Sequence, residues 1–79
     1  MNPELARTIE EAVRARRNVD AWDAPGVIVA FETADGAAHA LKVTDISPLE
    51  GTIEGYDLRT KTLTHWRLDA IRDVRILEH

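Results

Sequence analysis

Val27-Ile28-Val29-Ala30-Phe31, then Ala34-Asp35-Gly36, then Leu41-Lys42-Val43-Thr44 is the stretch that decides the fold. The first five residues are apolar on both faces and rich in β-branched side chains, which suits a central strand covered on both sides. Asp-Gly tolerates positive φ, so residues 34–36 predict a hairpin turn. The chain then returns over residues 38–46, with Leu41 and Val43 on one face and Lys42 and Thr44 on the other. Ser47-Pro48 ends that strand.

Downstream, residues 52–58 read as a third strand. Gly55 interrupts the alternation between Ile53 and Tyr56, as a bulge on a sharply bent strand would. Residues 57–61 turn the chain and residues 62–67 form a fourth strand. Leu68-Asp69-Ala70-Ile71 is too short for an α-helix and suits one tight turn, with Asp69 capping it by accepting from a nearby backbone N–H. Residues 73–77 give a fifth strand, with Val74 and Ile76 inward.

Upstream, Asn2-Pro3 is a helix-start signal, because Asn can cap and Pro fits the first helical position. Leu5, Ile9 and Val13 recur at spacing four, with Ala6 and Ala12 beside them, which makes one apolar stripe. Glu10 and Arg14 stand four apart in the favourable order. Arg14, Arg16 and Arg17 crowd the end, where cations suit the helix dipole. The helix is expected over residues 3–17. Residues 19–26 read as a connector whose Trp22 folds back on the core edge. The expected architecture is α+β, mainly β: an N-terminal helix, then a five-stranded Sm-like or SH3-like barrel over residues 27–77, with a short 3-10 turn before the last strand. Closure would hide the strand edges.

The bulk numbers agree with one small domain over residues 1–79. Hydrophobic residues make up 44% and charged residues 30%, which is ordinary for a folded chain. There is no Cys, so no disulfide or thiolate zinc site can staple so small a core. No apolar run reaches membrane-spanning length, and Met1-Asn2-Pro3-Glu4 lacks the pattern of a signal peptide. The expected location is the cytoplasm, with no membrane partner. Leu77-Glu78-His79 resembles vector-derived residues ahead of a His tag, so His79 carries no functional weight.

Charge is unevenly spread over a net −4. Residues 1–17 hold four Arg and three Glu. Residues 18–51 hold six acids (Asp20, Asp23, Glu32, Asp35, Asp45 and Glu50) against Lys42 alone. Residues 52–79 balance five bases with five acids. Nucleic-acid binding of a general kind needs a positive field, which the whole chain lacks. A local basic face, or an acidic face that meets a basic protein, is what remains.

Catalytic chemistry finds little footing. Ser47, the lone Ser, precedes Pro48 in a loop without a nucleophile-elbow context. His39 and His65 sit on expected strands without metal-ligand spacing, and the four Gly form no phosphate loop. No enzyme activity, cofactor or metal is expected. Two sets of residues suggest binding. Tyr56, Arg59, Lys61, His65, Trp66 and Arg67 gather flat rings and cations on one hairpin, a set that stacks bases and holds phosphates. Against that, Trp66 reads first as a core or cross-strand partner, and for Tyr56 and Arg67 the structural and the binding roles stand level. Asp20, Asp23, Asp45 and Glu50 form the acidic alternative.

Gly55-Tyr56-Asp57, Arg59, Trp66-Arg67-Leu68-Asp69-Ala70-Ile71 and Val74, with the leading Glu11-Ala12-Val13-Arg14, resemble the closing signature of WYL domains. Those are Sm-like barrels of bacterial transcription regulators and defence-associated proteins. The three residues that name the family fall at Gly51, Thr52 and Ile53. Its ligand-contacting arginines fall at Thr64, Arg67 and Ala70, so Arg67 alone is kept. Phe31-Glu32, Asp35-Gly36, Lys42, Thr44-Asp45-Ile46 and Arg67-Leu68-Asp69-Ala70-Ile71 are also similar to the Rof family, small Sm-like inhibitors of the transcription terminator Rho. The first resemblance implies a regulatory module that senses a nucleotide or single-stranded nucleic acid through Tyr56, Arg59, Lys61, His65 and Arg67. The second implies a protein-interaction module whose acids at Asp20, Asp23, Asp45 and Glu50 meet a basic partner such as a transcription terminator. Neither fixes an oligomeric state.

Overall fold

The computed structural model describes residues 1–15 and 26–78, and their order is one helix followed by five strands. Helix α1 runs Pro3–Ala15. Its start is as expected: the Asn2 side-chain oxygen accepts from Glu4 N–H at 2.7 Å, and Pro3 takes the first helical position. Glu10 and Arg14 pair at 3.3 Å on the solvent side. Ala6 and Ile9 are buried, and Leu5, Ala12 and Val13 pack around them, so the stripe faces the core. No helix among the described residues is long and apolar enough to cross a membrane.

The strands are β1 (Ile28–Thr33), β2 (Ala38–Ser47), β3 (Thr52–Asp57), β4 (Leu63–Arg67) and β5 (Ile71–Glu78), all antiparallel, in the order β4-β3-β2-β1-β5. The first hairpin turns at Ala34-Asp35-Gly36, with Gly36 at φ +84° and the Asp35 carboxylate accepting from Ala37 N–H at 3.1 Å. Thr33 Oγ1 bonds the same carboxylate, and these donors hold Asp35 below its ordinary pKa. Val27, Val29, Phe31, Leu41, Val43, Ile46, Ile53, Leu68 and Ile71 fill the inner face and meet Ala6 and Ile9.

Two expectations need correction. The barrel does not close: β4 and β5 are the two edges of the sheet. The sheet nevertheless curls. Four strand spacings would separate β4 from β5 by about 19 Å on a flat sheet. The 3-10 turn Leu68–Ala70 joins the end of β4 to the start of β5 with three residues, a reach of about 14 Å at full stretch. Closure would need a shared register between those strands, but β4 has only five residues and β5 is twice irregular against β1. Asp73 takes φ +54° inside one irregularity, a conformation Asp tolerates better than most residues.

The second correction concerns the bulge. It lies on β2, where Val43 pairs with Gly55 and Asp45 with Glu54, leaving Thr44 as the extra residue. β3 alternates regularly, with Ile53, Gly55 and Asp57 buried. Gly55 is required for another reason. A Cβ there would stand 2.5 Å from the Lys42 carbonyl oxygen and 3.0 Å from Val43 Cα, so only glycine lets the two backbones approach this closely.

Candidate functional site

Residues opposite one another on antiparallel strands share a face. Tyr56 pairs with Lys42 and Leu63, Glu54 with His65, and Thr52 with Arg67, so Tyr56, His65 and Arg67 share the outer face of the β3–β4 hairpin. Trp66 pairs with Ile53 and belongs to the inner face. Its ring meets Phe31 edge-on at 5.4 Å and His39 at 4.9 Å, and its Nε1 donates to Thr64 Oγ1 at 3.2 Å. Trp66 is therefore a cross-strand packing residue, set apart from Tyr56, His65 and Arg67.

Arg59 and Lys61 stand in the exposed turn beyond those strands. Asp57 builds that turn. Its Oδ1 accepts from Arg59 N–H at 2.8 Å and Thr60 N–H at 3.3 Å, and its carbonyl accepts from Lys61 N–H at 2.6 Å. Oδ2 faces His39 Nδ1 at 3.4 Å. Burial alone would push the Asp57 carboxyl up, but the Arg59 and Thr60 amides and His39 outweigh it and hold the group below its ordinary value. Lys61 sits at φ +58°, the left-handed region that glycine usually fills.

His65 and Arg67 on the outer face already have carboxylate partners. His65 Nε2 bonds Glu54, whose carboxylate also accepts from Thr44 Oγ1 at 3.2 Å. Arg67 grips Asp69 with two bonds, Nε to Oδ1 at 3.0 Å and Nη2 to Oδ2 at 2.8 Å. That fork lowers the Asp69 pKa and raises that of Arg67. Asp69 therefore does not cap the 3-10 turn as expected, and the turn has no side-chain cap. Tyr56 is half-buried between its strand neighbours, whereas Lys42 is nearly fully buried, its stem passing close to Gly26.

On the acidic side, Asp45 is exposed on β2 just past the Thr44 bulge, and Glu50 is exposed in the β2–β3 turn. Neither forms an ion pair among the described residues. Asp20 and Asp23, like Arg16, Arg17 and Trp22, lie outside the described residues. Among the described residues, no three His, Asp or Glu side chains gather as metal ligands.

Sequence reading missed the His39–Asp57 contact and the exposure of Leu49, which is 97% open to solvent at the tip of the β2–β3 turn. His39 lies opposite Phe31 and Asp57 opposite Leu41, so the pairing register carried the first signal. The second signal was Ser47-Pro48-Leu49-Glu50-Gly51, a turn sequence with a large apolar residue at its tip. No family model matches this chain, and no curated protein or solved structure matches it either.

Proposed function

We propose that this chain is a non-catalytic protein-interaction module that turns Asp45 and Glu50 toward a basic partner surface, in the manner of the Rof-like resemblance. One observation carries this reading. Glu54 and Asp69 already engage the hairpin side chains His65 and Arg67, while Asp45 and Glu50 form no ion pair among the described residues. A phosphate would have to displace a carboxylate at His65 and at Arg67, whereas a basic protein meets the acids without that competition. The net charge of −4 adds a long-range attraction for such a partner.

The test is capture of a basic partner by the immobilised chain across a salt series. Asp45→Asn with Glu50→Gln should weaken capture about two- to tenfold at low salt and flatten its salt dependence. Capture that ignores both salt and these changes would reject the reading.

A second reading, a WYL-like sensor of nucleotide or single-stranded nucleic acid, is favoured by one further observation. Lys61 keeps a left-handed backbone where glycine would be less strained, in the same turn as exposed Arg59 and next to Tyr56 on β3. Titration with labelled oligonucleotides and nucleotides at low salt separates the two. Saturable binding lost on Arg59→Ala favours the sensor, and no binding favours the protein module.

A further inference from the structure

His39 stands on the inner face of β2, and its side chain is only 14% exposed. Its ring stacks on Phe31 of β1 with 22° between the planes, and Trp66 of β4 tilts against it at 4.9 Å. Nδ1 lies 3.4 Å from Oδ2 of Asp57, whose side chain is 8% exposed. Phe or Leu would fill such a space without the cost of burying ring nitrogens. Histidine adds a charge that comes and goes between about pH 5 and pH 8.

The 3.4 Å separation is loose for a hydrogen bond. An imidazolium facing a carboxylate closes to about 2.7–2.9 Å, and that bond is about twice as strong as one between neutral partners. Asp57 passes the change outward. Its other oxygen accepts from Arg59 N–H and Thr60 N–H, and its backbone carbonyl accepts from Lys61 N–H. The same carboxylate therefore faces the buried ring and supports the surface turn.

The acids that face His39 are Asp57 on β3 and Asp35 in the first hairpin, which Thr33 and the Ala37 amide hold ionised and His39 also favours. From β1 and β4 it meets the uncharged rings of Phe31 and Trp66, and an aromatic face attracts a cation. Arg59 and Lys61 bring the opposing positive charges, on exposed residues of the turn where salt screens them. Glu32 and the His65–Glu54 pair belong to the outer face.

We infer that His39 and Asp57 form a proton-operated latch on the turn that presents Arg59 and Lys61. Protonation of His39 draws Oδ2 of Asp57 onto Nδ1 and firms the turn, and loss of the proton slackens it. The latch holds under either binding reading above, because its output is the order of the turn and not the identity of a partner.

The test is backbone and histidine-ring NMR of the whole chain from about pH 8 to about pH 5. The Arg59 and Thr60 amide signals should titrate with the same midpoint as the His39 ring. Their hydrogen-exchange protection, corrected for the intrinsic rate at each pH, should rise about three- to tenfold on the acid side. His39→Gln removes the proton site, and Asp57→Asn keeps an acceptor for the amides while removing the charge. Both should abolish the response, and His65→Gln should leave it intact. Asp57→Asn leaves the three rings in place, so it decides the matter even where His39→Gln folds poorly. Amides that do not follow the His39 ring overturn the latch. So does a response that survives Asp57→Asn, that survives in folded His39→Gln, or that disappears in His65→Gln.

Discussion

His39 on β2 and Asp57 at the end of β3 join the aromatic inner face of the sheet to the turn that carries Arg59 and Lys61. Nδ1 of His39 lies 3.4 Å from one carboxylate oxygen of Asp57, and the other oxygen holds the amides of Arg59 and Thr60. The His39 ring also stacks on Phe31 at 5.5 Å. Asp57→Ala should therefore destabilise the chain by about 1–3 kcal/mol, since it removes the part-buried acceptor shared by the Arg59 and Thr60 amides and the contact to His39. Urea denaturation measures this, and a variant as stable as the parent would show that the turn does not depend on the carboxylate.

Acid should act through the same group. The folded-state pKa of Asp57 lies below its ordinary 3.8, so folding favours the ionised form. That contribution is complete above 3.8 and is lost as pH falls through the lower folded value. Asp35 and Asp69 shift the same way and add to the trend. Stability should decline as pH drops below about 4, and more gently in Asp57→Asn. Thermal melts from pH 7 to pH 2 check the slope, and identical slopes would remove Asp57 from the account.

Gly55→Ala and Gly36→Ala should both cost stability, for different reasons. At Gly55 the new methyl meets backbone on β2, which cannot move without breaking the ladder, so a loss of about 1–3 kcal/mol or more is expected. At Gly36 there is open space and the cost is conformational only, about 1–2 kcal/mol from the left-handed φ. Gly36→Asn, which tolerates that region, should recover part of the loss, and Gly55→Asn should not.

Ile9→Ala tests the seating of α1 on the sheet. Ile9 is fully buried, so truncation should cost about 2–5 kcal/mol. Hydrogen exchange should then show the α1 amides losing protection before those of β1 and β2, which sit at the centre of the sheet. Uniform loss across helix and strands would instead mean that the two unfold only together.

Arg67→Ala should leave the melting temperature unchanged, because both it and Asp69 are exposed. Under the protein-interaction reading, it should also leave capture of a basic partner unchanged or slightly stronger, because Asp69 loses its neutralising partner. Marked weakening would place Arg67 at the interface and count for the nucleotide-sensing alternative.

Local pattern alone determined most of the element sequence. The Asn2-Pro3 start, the Leu5-Ile9-Val13 stripe, the Asp35-Gly36 hairpin and the short turn at Leu68–Ala70 depend on side-chain periodicity and φ preferences within a few residues. The Thr44 bulge was also legible in principle. Leu41 and Val43 keep a period of two, and the next buried residue is Ile46 rather than residue 45, a phase slip that marks an extra residue. Gly55 drew the assignment to β3 because an isolated glycine is the louder signal.

Tertiary structure decided the rest. Whether five strands close depends on a hydrogen-bonded register between β4 and β5, and alternation on each strand says which face is inside without saying which strand lies next to it. Asp69 offered two partners of similar local merit, a backbone amide and Arg67, and the fork geometry selected Arg67. The engagement of His65 by Glu54 and the exposure of Leu49 follow from cross-strand register and turn direction, which exist only once the sheet has formed. Charges and apolar residues were written in the chain, but their pairing or exposure is a property of distance in the fold.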